Sequence, residues 1–272
     1  MVPDFLILGA QKCGTTSLAQ ALATHPDVFI PSAKEAHHYG SVTDDEVGGD
    51  AYRKFFRDWN GQRLVGEATP NYLHNPASQR QISAGIPDLH AIVILRNPID
   101  RAYSAYWHTV RTGSAPGSFE DTLAADEAAM ASGDMSAPLL VDRGRYAIQI
   151  RRYLEAGLDR SRLHIIIFEE LLADPGGVLD GVQQFLGIEP MRLELPTANV
   201  AQASRLPKPM GRLLEKVARR STTARSISNR LLYEFEPPPM RPETRARLVE
   251  EFAGDNEDLA QLLGRDLAIW RD

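Results

Sequence analysis

Cysteine is all but missing. Cys13 stands alone among 272 residues, so no intrachain disulfide staples the fold and a reducing compartment is compatible with it. No apolar run approaches the ~18 residues of a membrane span, and the first apolar strand starts within a few residues of Met1. From these two features we expect a cytoplasmic protein without a membrane span. Positive charge is also short: 30 lysines and arginines stand against 36 aspartates and glutamates, a net charge of −6, which argues against nucleic-acid binding through a general basic field. Lysine itself is scarce, so arginine supplies most of the cationic groups. What the composition does provide, 43% hydrophobic against 24% charged residues, suits one large globular domain over 1–272, plain or with an elaborated substrate lobe. The basic residues are not spread evenly. Arg205, Lys208, Arg212, Lys216, Arg219, Arg220, Arg225 and Arg230 have only Glu215 among them, and such a segment faces either an anionic ligand or solvent.

The segment from Phe5 to Ser17, FLILGAQKCGTTS, is an apolar strand running into a glycine-containing loop and the start of a helix. A loop of this kind turns backbone amides towards an anion at the helix N-terminus. In a nucleotide-triphosphatase loop, G-x-x-x-x-G-K-[ST], the lysine follows the second glycine and the adjacent hydroxyl holds magnesium. Here Lys12 precedes Gly14, and Thr15, Thr16 and Ser17 follow it. The order fits a cradle for a phosphate-like group better than a magnesium-triphosphate site. A plain strand, turn and threonine-capped helix is the structural alternative. A nucleophilic or redox role for Cys13 would need partners that the sequence does not identify.

Apolar runs at Phe5–Gly9, Arg63–Gly66, Ala91–Leu95 and Leu163–Phe168 predict buried strands. Helices are predicted at Thr16–Thr24, Ala51–Trp59, Pro98–Arg111, Ser118–Ala131, Arg145–Ala156, Pro175–Leu186, Pro209–Arg219 and Pro242–Leu263, several of them with proline in the first turn. This alternation implies an α/β, P-loop-containing three-layer fold with a central, mainly parallel sheet flanked by helices. Ser32–Gly49 and Ser114–Ser118 read as loops facing the active site, and Glu236–Pro242 as a surface loop. The strand Ala91–Leu95 ends in Arg96, and Ser104 follows about two turns along the next helix. Open α/β folds bind ligands at that carboxyl edge. An arginine fork with a hydroxyl suits a dianionic phosphate; a triphosphatase would place a magnesium-binding carboxylate there.

Taken together, GAQKCGTTS and RNPIDRAYS resemble the sulfotransferases that use 3′-phosphoadenylyl sulfate (PAPS), particularly their bacterial and heparan-sulfate-type branches. HPDVFIPSAKEAHHYG, GEATPNYLHNP, RGRYAIQIRRYLE, LHIIIFEELLADP, VQQFLGI and LLGRDLAIW continue the likeness in order along nearly the whole chain. The resemblance implies that Lys12 contacts the 5′-phosphosulfate, with Gly14, Thr15, Thr16 and Ser17 completing the cradle. It implies Arg96 and Ser104 on the 3′-phosphate, Phe168 against the adenine, and Arg205 in a basic segment, 205–240, that covers the nucleotide or substrate. PAPS would be the donor and PAP the product, with no metal, and the acceptor a hydroxyl, or failing that an amine, of a small molecule, lipid or carbohydrate. Lys12 would stabilise the leaving phosphate during in-line transfer. In the K-E-x-H pattern Glu35 matches the general base, while the cytosolic small-molecule branch uses a histidine, which keeps His37 and His38 as alternatives. Two departures, Ala68 where heparan-type relatives carry lysine and the missing cysteine pair, put a glycosaminoglycan acceptor in question without touching donor binding. The competing functions are a P-loop kinase or NTPase with Glu169 and Glu170 organising magnesium, and a non-catalytic nucleotide-binding protein of the same fold.

Overall fold

The computed structural model describes residues 2–33, 35–112, 117–133, 138–196 and 237–271. Lys34, Arg205, the rest of the basic run to Arg230 and the helix expected at Pro209–Arg219 lie outside them. The chain divides into two compact units, one of Met1–Arg101, Arg143–Ala198 and Phe252–Asp272, the other of Ala102–Asp142 and Asn199–Glu251.

The first unit is built on a parallel sheet of five strands, β1 (Phe5–Gly9), β2 (Val28–Phe29), β3 (Leu64–Ala68), β4 (His90–Leu95) and β5 (Leu163–Ile167), in the order β2-β3-β1-β4-β5. β1 is buried at every residue, as the continuous run FLILG requires of a central strand covered on both faces. Phe5 lies opposite Gly66 of β3, and a Cβ at that glycine would come within 2.1 Å of the Phe5 ring, so the two strands pack this way only with glycine there. The α-helices among the described residues are α1 (Thr15–Leu22), α2 (Asp50–Phe55), α3 (Pro76–Gly85), α4 (Pro98–Thr112), α5 (Phe119–Ser132), α6 (Tyr146–Glu155), α7 (Phe168–Ala173), α8 (Pro175–Phe185) and α9 (Pro242–Leu263). Among the described residues no helix is long and apolar enough to cross a membrane.

Several boundaries differ from the sequence expectation. β3 starts later than Arg63 and runs on to Ala68, which puts Glu67 inside a strand. β2 and α3 were not anticipated: β2 is a two-residue strand, and α3 buries mainly polar residues. Phe168 does not end β5 but begins α7; Asp174 then breaks the helix, its carboxylate accepting from the Gly177 amide at 3.0 Å to cap α8. α1 is capped by Gly14 in the left-handed conformation, not by a threonine.

In the second unit α5 carries the S-x-x-D form of a capping box: the Ser118 hydroxyl accepts from the Asp121 amide at 3.1 Å and Asp121 accepts from the Ser118 amide at 2.9 Å. The Glu120 carboxylate accepts from the Thr244 hydroxyl at 2.8 Å, and buried Asp126 accepts from the amides of Leu139 and Leu140. Ser104 belongs to this unit, half-buried on α4.

Candidate active site

All five strands deliver chain to the same carboxyl edge. β1 ends in the loop that carries Lys12, β2 leads to the segment of Glu35, β3 ends beside Thr69, β4 is followed by Arg96 and β5 by Phe168. The strand order reverses direction at β1: the chain leaves β1 for β2 and β3 on one side, then crosses to β4 and β5 on the other. The crevice between β1 and β4 is therefore the switch point, where open parallel sheets bind ligands.

Lys12 and Gly14 both take positive φ, 71° and 87°, and this curls the loop so that α1 opens towards the crevice. The N-terminus of α1 has no side-chain cap and no acidic residue in its first turn, which leaves its amides and the positive end of its dipole to an external anion. The Ser17 hydroxyl is buried and has no hydrogen-bond partner among the described residues. The Cys13 side chain points the other way. It is fully buried, 4.0 Å from the Tyr146 hydroxyl, and burial pushes its thiol up to about 11, so it stays protonated and serves as packing.

Arg96 is half-buried. Its Nη1 donates to the Lys12 carbonyl at 3.2 Å, its guanidinium carbon lies 5.0 Å from the centroid of the Phe168 ring, and its own carbonyl accepts from the Tyr146 hydroxyl at 3.0 Å. Two of the residues read as phosphate ligands, Lys12 and Arg96, are thus in direct contact.

The segment that holds Glu35 is fastened by side chains rather than by secondary structure. The Ala36 amide donates to Glu67 at 3.3 Å, that of His37 to the Thr69 hydroxyl at 3.5 Å, that of His38 to the Tyr72 hydroxyl at 2.9 Å and that of Gly40 to Gln81 at 2.7 Å. Glu67 is the hub. It is fully buried and also accepts from the hydroxyls of Tyr52 at 2.7 Å and Thr69. Burial pushes its pKa above the ordinary carboxylate range, and these donors pull it partly back. Glu35 itself is half-buried, with Oε2 3.1 Å from Nε2 of the exposed His37. His38 is occupied otherwise: it is buried, stacks on Tyr52 at 4.2 Å, and its Nε2 accepts from the Gly48 amide at 3.0 Å. Burial holds His38 below the usual imidazole pKa, in keeping with the neutral form that this bond requires.

The carboxylates of the kinase alternative are engaged in structure. Glu169 accepts from the Asn97 amide and from Trp270 Nε1, both at 3.0 Å, and Glu170 pairs with Arg265. Ala68 is fully buried and offers no charge where the related pattern has lysine. Sequence reasoning missed Tyr52, Thr69, Tyr72, Tyr146 and Trp270 as supports of the site, although GEATPNY, RGRYAIQ and LAIW carry all but the first of them.

The sulfotransferase domain family model matches residues 2–208. The chain is 29% identical over 285 residues to bifunctional heparan sulfate N-deacetylase/N-sulfotransferase 4 of Mus musculus, covering 99% of this chain and 31% of that protein. It is 32% identical over 195 residues to heparan sulfate glucosamine 3-O-sulfotransferase 3B1 of Homo sapiens, covering 69% of this chain and 47% of the relative. It thus spans only about a third to a half of the length of these curated relatives. A crystal structure of a sulfotransferase from Alicyclobacillus acidocaldarius superposes with a TM-score of 0.74 at 31% identity, over the full length of both chains.

Proposed function

The chain belongs to the PAPS-dependent sulfotransferase family, and from that premise we propose that it moves the sulfuryl group of PAPS to a hydroxyl, or to an amine, of a small molecule, lipid or carbohydrate. The observation that carries this is the uncapped start of α1, with Lys12 beside it and Arg96 joined to the Lys12 carbonyl across the β1–β4 crevice. The α1 amides with Thr15, Thr16 and the buried Ser17 hydroxyl would take the 5′ end of the donor, and Arg96 the 3′-phosphate.

Sulfuryl transfer places negative charge on the bridging oxygen as the bond to sulfur breaks. A preorganised ammonium there does the work that a metal ion does for a triphosphate. Lys12 is the residue for that task, and Glu35 the base that takes the proton from the acceptor. No metal enters this scheme: the cation at the end of β4 is Arg96, and Glu169 is bound to Asn97 and Trp270. The relatives named for N-sulfation and for 3-O-sulfation differ in acceptor atom. Amines and carbohydrates accordingly belong in the acceptor panel.

Calorimetric titration with PAP tests the donor assignment. Wild type is expected to bind PAP without magnesium, and Arg96→Ala to bind it about 10- to 100-fold more weakly, as for loss of a charge-assisted contact. Magnesium-dependent binding of ADP with no binding of PAP would reject the donor and favour the kinase alternative.

A further inference from the structure

We propose that Phe168 is a positioning residue for Arg96 and, through it, sets specificity for the 3′-phosphate of the nucleotide; this rests on the donor assigned above. β4 and β5 pair in parallel register with Leu95 opposite Ile167, so the next residues, Arg96 and Phe168, emerge side by side at the ligand edge of the sheet. The Phe168 ring lies beneath the guanidinium, 5.0 Å from its carbon to the ring centroid, within the ~6 Å reach of a cation–π contact. An edge of the same ring meets the phosphate loop: a Cβ on Gly14 would lie 3.1 Å from Cε2 and 3.3 Å from Cδ2. The ring is therefore wedged between the glycine of the cradle and the arginine, and the Lys12 carbonyl holds the guanidinium from a further side at 3.2 Å.

An arginine free in solvent samples many rotamers and loses that freedom when it grips a phosphate. Stacked on Phe168 and bonded to Lys12, Arg96 has its planar fork ordered before the nucleotide arrives. This differs from a role in which Phe168 offers its ring to adenine, and the two roles separate on a nucleotide that lacks the 3′-phosphate. A ring that carries adenine contributes equally to adenosine 3′,5′-bisphosphate (PAP) and to adenosine 5′-monophosphate. A ring that orders Arg96 contributes to PAP alone.

The test is calorimetry of both nucleotides on the full chain, as wild type, Phe168→Leu, Phe168→Trp, Arg96→Ala and the Phe168→Leu/Arg96→Ala double variant. Phe168→Leu is expected to weaken PAP about five- to tenfold, the range of a partly desolvated cation–π contact, and to leave the monophosphate within about twofold. Phe168→Trp, which keeps a π face under the guanidinium, should retain most of the preference for PAP. In the Arg96→Ala background Phe168→Leu should have no further effect on PAP, because the two residues act as one unit. Equal weakening of both nucleotides, or additive effects in the double variant, would overturn the inference. So would loss of the PAP preference in Phe168→Trp, the check that still reads out should Phe168→Leu fail to fold. A wild-type chain that binds PAP no more tightly than the monophosphate would instead reject the donor assignment, and the inference with it.

Discussion

Lys12→Ala is expected to lower sulfuryl transfer about 10²- to 10³-fold, the usual effect of removing one preorganised donor from a developing negative charge. PAP binding should weaken by about tenfold at most, since the ammonium matters most when the bridging oxygen takes up charge in the transition state. The structure holds the backbone of this lysine firmly at its displaced position. It sits in the left-handed region at φ 71°, one residue before buried Cys13, and its carbonyl is gripped by Arg96. The backbone just ahead of the helix start is thereby pinned, and the side chain projects from a fixed point. Initial rates with labelled PAPS, combined with PAP titration of the same variant, separate the two effects. A Lys12→Ala enzyme within about threefold of wild-type turnover would remove this lysine from the chemistry.

Glu35→Gln carries the second large effect. Losing a general base typically costs about 10²- to 10⁴-fold in turnover, and here it should leave the melting temperature unchanged. Glu35 is half-buried and its pair with exposed His37 lies at the surface, where such a pair is worth little to stability. His37→Ala should fall well short of that loss if the carboxylate is the base. His38 is not an equivalent choice, because its Nε2 lone pair is taken by the Gly48 amide and its ring by Tyr52. Rates and thermal melts on the two variants decide the matter. A His37→Ala enzyme as inactive as Glu35→Gln would move the base to the histidine.

The parts of the fold that could be read from sequence are those whose burial is apolar. β1, β4 and β5 are short apolar runs, buried almost throughout in β1 and β4 and in large part in β5, and a one-dimensional pattern is enough to find them. α3 defeats the same test. Its buried residues are Ser78, Gln79, Gln81 and Ile82, and it packs through hydrogen bonds: the Ser78 hydroxyl donates to the Tyr39 carbonyl at 2.7 Å, Gln79 donates to the Leu73 carbonyl at 2.6 Å, and Gln81 accepts from the Gly40 amide. No apolar stripe exists there, though Asn75 before Pro76 was a usable start signal, and its carboxamide does cap the helix. The site divides along similar lines. Lys12, Gly14 and Arg96 follow from a loop and a strand end, both local features. Glu67 does not, because its partners Ala36 and Tyr52 come from separate stretches that only the folded sheet brings together.

Glu67 also explains how a loop without regular structure is held in place beside Glu35, the proposed base. The Thr69 hydroxyl donates to Glu67 while accepting from the His37 amide, and Glu67 itself accepts from the Ala36 amide, so the buried carboxylate organises the backbone next to Glu35 through a chain of hydrogen bonds. The order of the segment is thus set by β3 and α2, which lie on the opposite side of β1 from Arg96. Donor grip and base placement draw on different halves of the sheet, with Lys12 at the centre.

Transfer of label from radiolabelled PAPS to a panel of hydroxyl and amine acceptors, carbohydrates included, followed with and without EDTA, bears most directly on the function. Label should appear in at least one acceptor, with one PAP released per transfer, at a rate that EDTA leaves unchanged and that Lys12→Ala lowers about 10²- to 10³-fold. Absence of transfer to every acceptor, together with magnesium-dependent hydrolysis of ATP by the same preparation, would contradict a metal-free sulfuryl-transfer site.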